Sequence, residues 1–439
     1  MYSTVAARIT PRRPAGTVPQ LISAQAYARS VRRRVCLAWC LLFLNGLTYY
    51  GSSLHVPSIV GKAIAQGALP LAAIAALSVN QRIALRPNLF LGLVTLLPLE
   101  ALLTTLNPAT LGQVYRSFRL VEFVATLWLL TPWWGRRDML LVRAHLTMLG
   151  IILGSVVLGL LVSPGYAFET GRLGGAIWNI PPTEVAHYAA ITIGITVVLW
   201  LCGHVPGRLT LVVASAAGVI LILTHTRTAL VAMLAAILVA GLSLFTARAR
   251  VRRAFAIAGT VTAVAIMTMS SFLVEWLSRG EGANELSDLT GRTLVWGPLL
   301  AFPRDRFEMI FGLGLSNSSF NGLPIDSNWL SSYDEQGLFG VAICVLILLT
   351  LLVTAYFQPR GVRRALALFL ITYCLVASFT EDGFTDATPY MLDMAVAASL
   401  LMAPMACNFR LRTTRAAAQG PRPGDLDQPA PDAPTSASP

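Results

Sequence analysis

Four arginines, Arg119, Arg172, Arg227 and Arg292, stand at the ends of long apolar runs and outside the clusters that hold most of the basic residues. Arg172 lies in Gly171-Arg172-Leu173-Gly174-Gly175, and Arg227 in the turn Thr224-His225-Thr226-Arg227-Thr228 between two apolar stretches. Arg292 follows Gly291 and precedes Trp296. Arg119 falls about one turn into its own stretch with Glu122 at i+3, a spacing that puts the two on one helix face. A guanidinium offers a planar fork of donors that matches phosphate oxygens bidentately, so a group of such residues suits a diphosphate. The plainer reading of each is an interfacial arginine reaching toward lipid headgroups. The candidate base is a carboxylate. Asp326 and Glu335 bracket Ser327-Asn328-Trp329-Leu330-Ser331-Ser332-Tyr333-Asp334, where a carboxylate can take a proton from an attacking hydroxyl. The alternative for Asp326 is a helix N-cap, worth about 1 kcal/mol. Glu381 and Asp382 close another apolar run and either position an acceptor or face water. His187, after Pro181-Pro182-Thr183-Glu184, and His225, beside Arg227, are candidates to assist proton transfer or structural hydrogen-bonding groups. The sequence shows no metal-ligand spacing and no phosphate-binding glycine loop, so neither a metal nor another cofactor is expected.

The elements that must position these residues are membrane helices. Mean hydropathy is +0.65 and only 12% of the 439 residues are charged, about half the share in a soluble domain. Such a chain cannot face water all round. Apolar stretches long enough to cross a bilayer recur, near 35–51, 58–78, 88–107, 117–134, 139–162, 184–203, 208–224, 227–246, 254–275, 336–357, 363–380 and 386–404. The net charge of +12 sits in clusters at Arg32–Arg34, Arg136–Arg137, Arg248–Arg253, Arg360–Arg364 and Arg410–Arg415. These fall in alternate loops beside apolar runs, the positive-inside pattern, and so argue against nucleic acid as a partner. The expected fold is all-α: a multi-pass protein of about twelve transmembrane helices in a bacterial plasma membrane, with both termini cytoplasmic. The six cysteines (Cys36, Cys40, Cys202, Cys344, Cys374, Cys407) lie in or beside apolar runs and read as small core hydrophobes.

Residues 1–34 read as a basic cytoplasmic segment, 35–404 as the transmembrane domain and 405–439 as a disordered cytoplasmic tail. Asp425-Leu426-Asp427 in that tail imitates a metal-binding DxD and is discounted there. Residues 276–335 form one large extracytoplasmic loop between helices 9 and 10, with four arginines against eight carboxylates and a net charge of −4. Long loops of this kind usually carry function. Within it, Thr290–Phe302 has helical spacing with Leu294, Trp296 or Leu300 toward one face, and Gly312-Leu-Gly-Leu-Ser reads as a turn.

The ordered series Gly171-Arg-Leu-Gly-Gly, Pro-Pro-Thr-Glu, Thr224-His-Thr-Arg-Thr-Ala-Leu, Gly291-Arg-Thr-Leu-Val-Trp, Ile310-Phe-Gly-Leu-Gly-Leu-Ser and Asp326-Ser-Asn-Trp-Leu…Glu335-Gln-Gly-Leu-Phe-Gly resembles the O-antigen ligase and O-antigen polymerase superfamily over roughly residues 85–400. The resemblance implies a metal-independent, inverting glycosyltransferase on the outer face of the plasma membrane. Its donor would be a glycan on a polyprenyl (undecaprenyl-type) diphosphate, its acceptor a glycan or glycolipid hydroxyl, with chain-length or assembly proteins as possible partners. Carried over motif by motif, Arg172, Arg227 and Arg292 would hold the leaving diphosphate. Ligases of the family typically carry His-Asn where this chain has Asp326-Ser-Asn, which shifts the expectation toward a polymerase or a divergent transferase with Asp326 as base.

A transporter or flippase of polar or lipid-linked solutes is the main rival. Transporters favour internal repeats and helices broken at midplane, and the sequence shows no convincing repeat. A peptidoglycan-polymerising type of enzyme is compatible with Asp326 but lacks the motif series.

Overall fold

A computed structural model describes residues 18–47, 53, 57–106, 110–278, 292–316 and 318–403. The chain is built of helices: α1 (Val18–Leu44), α2 (Ser58–Val79), α3 (Leu89–Thr104), α4 (Leu111–Leu130), α5 (Leu140–Val162), a single turn α6 (Pro164–Ala167), α7 (Pro182–Leu201), α8 (Gly207–Leu223), α9 (Arg227–Phe245), α10 (Ala249–Ser278), α11 (Thr293–Ala301), α12 (Arg306–Phe311), α13 (Asn328–Phe357), α14 (Val362–Ala377) and α15 (Pro389–Leu401). Among the described residues, the only paired strands are β1 (Ser319–Phe320) and β2 (Leu323–Pro324), an antiparallel hairpin two residues deep. A helix satisfies its backbone polar groups internally, which is what an apolar solvent demands of a spanning segment. Five of these helices are long and apolar enough to cross a membrane: Ile59–Val79, Leu140–Val162, Pro182–Leu201, Arg227–Phe245 and Asn328–Phe357. Leu89–Thr104, Gly207–Leu223 and Pro389–Leu401 are apolar but shorter. The chain therefore has the make-up of a multi-pass membrane protein.

Burial orders the helices. The most apolar stretch of α7 is 83% buried within the protein, against 33–39% for the other four long spans. Helix α15 is buried along its whole length and α14 is buried without interruption from Ala365 to Ile371, and α14 packs along α9 and α15 while α7 packs on α8, α9 and α5. The centre of the fold is thus α7, α14 and α15. The peripheral α2, α3, α5 and α9 expose large aliphatic side chains such as Ile74, Leu99, Leu161 and Leu234. The described residues up to Met402 form one compact unit.

The segment expected as one long loop over 276–335 has internal structure where it is described. Residues 279–291, with Glu281, Glu285 and Asp288, lie outside the described residues, as does the Asp425-Leu426-Asp427 tail. Helix α11 matches the expected helical stretch but buries a different face. Leu294 and Leu300 are exposed, whereas Val295 and Leu299 pack with Ile325, and Trp296 joins them from the side. Asp305 and Glu308 start α12 with a reciprocal capping box, which satisfies two of its orphan amides. Helix α13 begins at Asn328, so Glu335 belongs to a helix and is buried.

Helix α13 is broken at Gly337, which sits at φ 64°. The break leaves the carbonyls of Asp334 and Glu335 without helical donors, and the amides of Leu313 and Gly314 take them at 2.9 Å each. Main chain meets main chain here. A β-carbon on Gly312 would lie 2.3 Å from the Gln336 nitrogen, and one on Gly337 would lie 2.4 Å from the Ile310 carbonyl carbon. Both positions also need the left-handed region that glycine occupies without penalty. Gly337→Ala is therefore expected to destabilise the protein by about 1–3 kcal/mol. Gly218→Ala, in the body of α8 with nothing within 4 Å of the added carbon, is neutral to stabilising by up to about 1 kcal/mol. Thermal unfolding of the purified protein in detergent reads the difference, and equal midpoints for the two variants would contradict this account of the break.

Candidate functional site

The Gly171–Gly175 motif docks on the end of α8. The Leu173 amide donates to the Leu223 carbonyl at 3.0 Å and the Gly174 amide to Ala167 at 2.9 Å. This sets the Arg172 side chain against the α8–α9 turn, where its Nε donates to the Thr224 carbonyl at 2.9 Å and a terminal nitrogen donates to Thr226 Oγ1 at 2.8 Å. In that turn His225 adopts a left-handed backbone, φ 49°. Such a conformation is rare for a residue with a side chain, and the Arg172 donors hold the residues on either side of it. Arg227 is the first residue of α9. One residue on, Thr228 Oγ1 accepts from the Thr380 hydroxyl at 2.9 Å, and the Thr380 carbonyl accepts from Arg292 at 3.2 Å. The α8–α9 turn, the end of α14 and the entry to α11 thus converge.

Carboxylates join them. Arg292 Nε lies 3.6 Å from Asp326, whose side chain is about half exposed. Ser327, not Asp326, holds the N-cap position of α13, so the cap reading of Asp326 gives way to an ion pair. Burial raises the Asp326 pKa against the opposing pull of Arg292. Glu381 is pushed up to about 8, by burial first and then by the negative charge of Asp326, with Arg292 opposing. Asp382 is raised by burial as well. Burial lowers the Arg172 pKa while Glu381 opposes it. The start of α13 is fixed to the same place by Asn328: its amide donates to the Ser378 carbonyl at 3.0 Å and its side-chain oxygen accepts from the Phe384 amide at 2.9 Å.

Other expected residues lie elsewhere. Oε1 of Glu335 accepts from the Ser316 amide (3.0 Å) and hydroxyl (2.8 Å) and from the Ser318 amide (2.9 Å). That occupancy makes Glu335 an anchor for the chain after the Gly312 turn. The Ser318 hydroxyl stands between Glu335 and Asp382. Arg119 does not pair with Glu122 as its spacing suggested. Instead it reaches the loop after α14, 3.5 Å from Asp386 and donating to the Ala387 carbonyl at 3.3 Å, and Arg116 lies 3.7 Å from the same Asp386. His187 is buried in the bundle, its Nε2 2.9 Å from Asp393, whose other oxygen lies 2.8 Å from Nε2 of buried His145. That trio links α5, α7 and α15, and it is a contact of the helix core.

Of the expected site residues, Arg172, Arg292, Asp326, Glu381 and Asp382 thus gather at one end of the helices, with Arg227 and His225 in the turn that Arg172 holds. The sequence reading missed Glu100, buried in α3 with neither carboxylate oxygen hydrogen-bonded, and it missed Asp386, His145 and Asp393. For Glu100 and Asp393 a signal was present: a carboxylate inside an apolar run is costly and calls for a reason. Among the described residues, no group of three His, Cys, Asp or Glu could hold a metal ion. No protein-family model matches the chain, and no curated protein matches it.

The chemistry available is that of cations beside carboxylates whose pKa values burial raises. Two or three guanidiniums can receive negative charge as it develops, and a carboxylate with a raised pKa is a stronger proton acceptor. The Glu381 shift also makes stability depend on pH. With its pKa at about 8 in the folded chain and near 4.5 when unfolded, the native state holds the extra proton between those limits, so stability falls as pH rises from about 4.5 to 8. Glu381→Gln should flatten that decline. Unfolding midpoints taken from pH 5 to 8.5 test it, and parallel curves for wild type and Glu381→Gln would refute the burial of an ionisable Glu381.

Proposed function

We propose that the protein is a membrane glycosyltransferase of the O-antigen ligase or polymerase type. In this reading about twelve spans place both termini in the cytoplasm of a bacterial cell and the arginine–carboxylate cluster on the outer face. The donor is a glycan on a polyprenyl diphosphate, and the acceptor is a hydroxyl on a glycan or glycolipid. The observation that carries the reading is the convergence of Arg172 and Arg292 with Asp326 and Glu381 beside the turn that opens on Arg227. Asp326 takes the acceptor proton as the acceptor oxygen bonds to the anomeric carbon. The bond from that carbon to the phosphate oxygen breaks, and the diphosphate leaves with the electron pair toward Arg172, Arg227 and Arg292. Attack from the face opposite the leaving group inverts the anomeric centre. Because Asp326 replaces the histidine typical of the ligases, extension of a glycan is the favoured form of the reaction.

One observation favours the transporter reading, the interruption of α13 at Gly337. Broken helices in transporters place their ends at the bilayer midplane. This break falls in the first third of α13, and its freed carbonyls are taken by backbone amides, so it offers no open ion or solute ligands.

Arg172→Ala and Arg227→Ala are expected to lower polymer transfer about 100-fold or more with the protein still present in the membrane. Normal glycan products from both variants would remove the diphosphate-clamp role, and undiminished turnover by Asp326→Asn would remove the base. For orientation, a reporter active only outside the plasma membrane should report when fused after Pro324 and stay silent after Arg250. The opposite pattern would invert the topology.

A further inference from the structure

The carboxyl group of Glu100 has no part in the cluster around Arg172 and Arg292. It lies in the last third of α3 at 3% exposure, and both its oxygens are closed to solvent and without a hydrogen bond. The donors around it are committed elsewhere. Thr104, one turn further along the same face, gives its hydroxyl hydrogen to the Ala101 carbonyl at 2.9 Å, and Ser117 of α4 donates to that carbonyl at 3.1 Å. The Gln113 amide donates to the Leu313 carbonyl at 2.8 Å. A carboxylate ion buried without donors or a counter-ion is strongly destabilising, so the folded protein must neutralise this one.

Glu335 sharpens that requirement. Helix α3 packs on α13 and α4. The Gly314 amide donates to the Glu335 carbonyl at 2.9 Å, and a β-carbon on Gly314 would lie 3.5 Å from the Thr104 hydroxyl. Among the described residues, Glu335 of α13 is the charged group that acts on Glu100. From α4 come the neutral Ser117 and Gln113, while Arg116 and Arg119 of that helix lie 3.7 and 3.5 Å from Asp386. Two carboxylates across a dry helix contact cannot both stay ionised. Oε1 of Glu335 accepts from the Ser316 and Ser318 amides, and such donors favour the ionised form, so the proton belongs to Glu100. A proton also needs no room, whereas a hard metal ion needs several oxygens at bonding distance. We infer that Glu100 is a proton-binding site, loaded in the folded protein, whose neutrality lets Glu335 hold the Ser316 and Ser318 amides as an anion. The hold extends to the candidate site, because the Ser318 carbonyl accepts from the Ile325 amide at 2.8 Å, one residue before Asp326. Where the α3–α13 contact loosens, Glu100 meets water and releases its proton. Rising pH therefore favours the loosened form, by up to about tenfold per pH unit for one proton. The proton site stands whatever the substrate is.

The test uses the full-length protein in detergent. Its infrared spectrum at neutral pH should contain the carbonyl band of a protonated carboxylic acid that Glu100→Gln removes and Glu381→Gln leaves in place. Hydrogen exchange at the Ser316 and Ser318 amides, corrected for its intrinsic rise with pH, should quicken by up to about tenfold per pH unit in the wild type. The slope should be flatter in Glu100→Gln. Glu100→Met, neutral and apolar, should behave as Glu100→Gln does, which separates loss of the proton from any contact made by the new amide. An infrared band unchanged in Glu100→Gln, or one pH slope shared by the wild type and both variants, would overturn the site. A band that vanishes when sodium chloride replaces choline chloride would put a metal cation in the proton's place and equally overturn it.

Discussion

At Gly337 two stretches of main chain come close enough that neither tolerates a side chain, and the amides of Leu313 and Gly314 complete a helix that has been opened. That contact decides where everything between α11 and α13 can sit. With the turn fixed on α13, the Ser316 and Ser318 amides fall onto the buried Glu335 carboxylate. The hairpin that follows delivers Asp326 to Arg292. Arg304, buried on Asp334 with its guanidinium 4.7 Å over the Tyr333 ring, ties the run between α11 and α12 to the same two turns of helix. A buried ion pair adds little net stability because desolvation offsets the attraction. It does penalise any arrangement that separates the partners, so here it acts on register.

The loop between α14 and α15 is the counterpart on the other side. It carries Thr380, Glu381, Asp382 and Asp386, of which three face different neighbours. Thr380 meets Thr228 and Arg292, Asp382 the Ser318 hydroxyl, and Asp386 the arginines of α4. The Thr385 carbonyl and hydroxyl add contacts to Gln336 and Ser332 of α13 at 3.4 Å. One short acidic loop therefore lies between two separate basic groups and couples the turn before α9 to helices α4 and α13. Burial first, and then the negative charge of neighbouring carboxylates, raises the pKa values of Glu381 and Asp382.

Much of this was legible in the sequence, and the exceptions have physical causes. Apolar runs identify helices well because a helix in an apolar solvent leaves a plain compositional trace. The stretch placed at 184–203 is α7 at Pro182–Leu201, and that at 139–162 is α5 at Leu140–Val162. Unusual arginines could be picked out for the same reason. What spacing alone could not give was their partners. Arg119 and Glu122 share a helix face, but the guanidinium is drawn to an acid from a loop more than 260 residues away in the chain. His187 looked available because it is near a helix start, yet Asp393 lies opposite it across the bundle. The buried face of α11 was misread because Ile325, which decides it, comes from the far end of the hairpin. In each case the deciding neighbour is non-local.

The depth of α7 bears on how the chain is made. It is less apolar than α5, α9 and α13, and its His187, Thr192 and Thr196 are turned into protein. Synthesis runs from the N-terminus, so α7 is made well before α14, which packs against it, and α15, which carries Asp393. Until α15 is made, the His187 imidazole lacks its partner Asp393, whereas the Thr192 and Thr196 hydroxyls already donate to carbonyls of α7 itself. The last helix made thus completes a contact at the centre of the bundle, and a chain cut short before α15 would leave His187 without its acid.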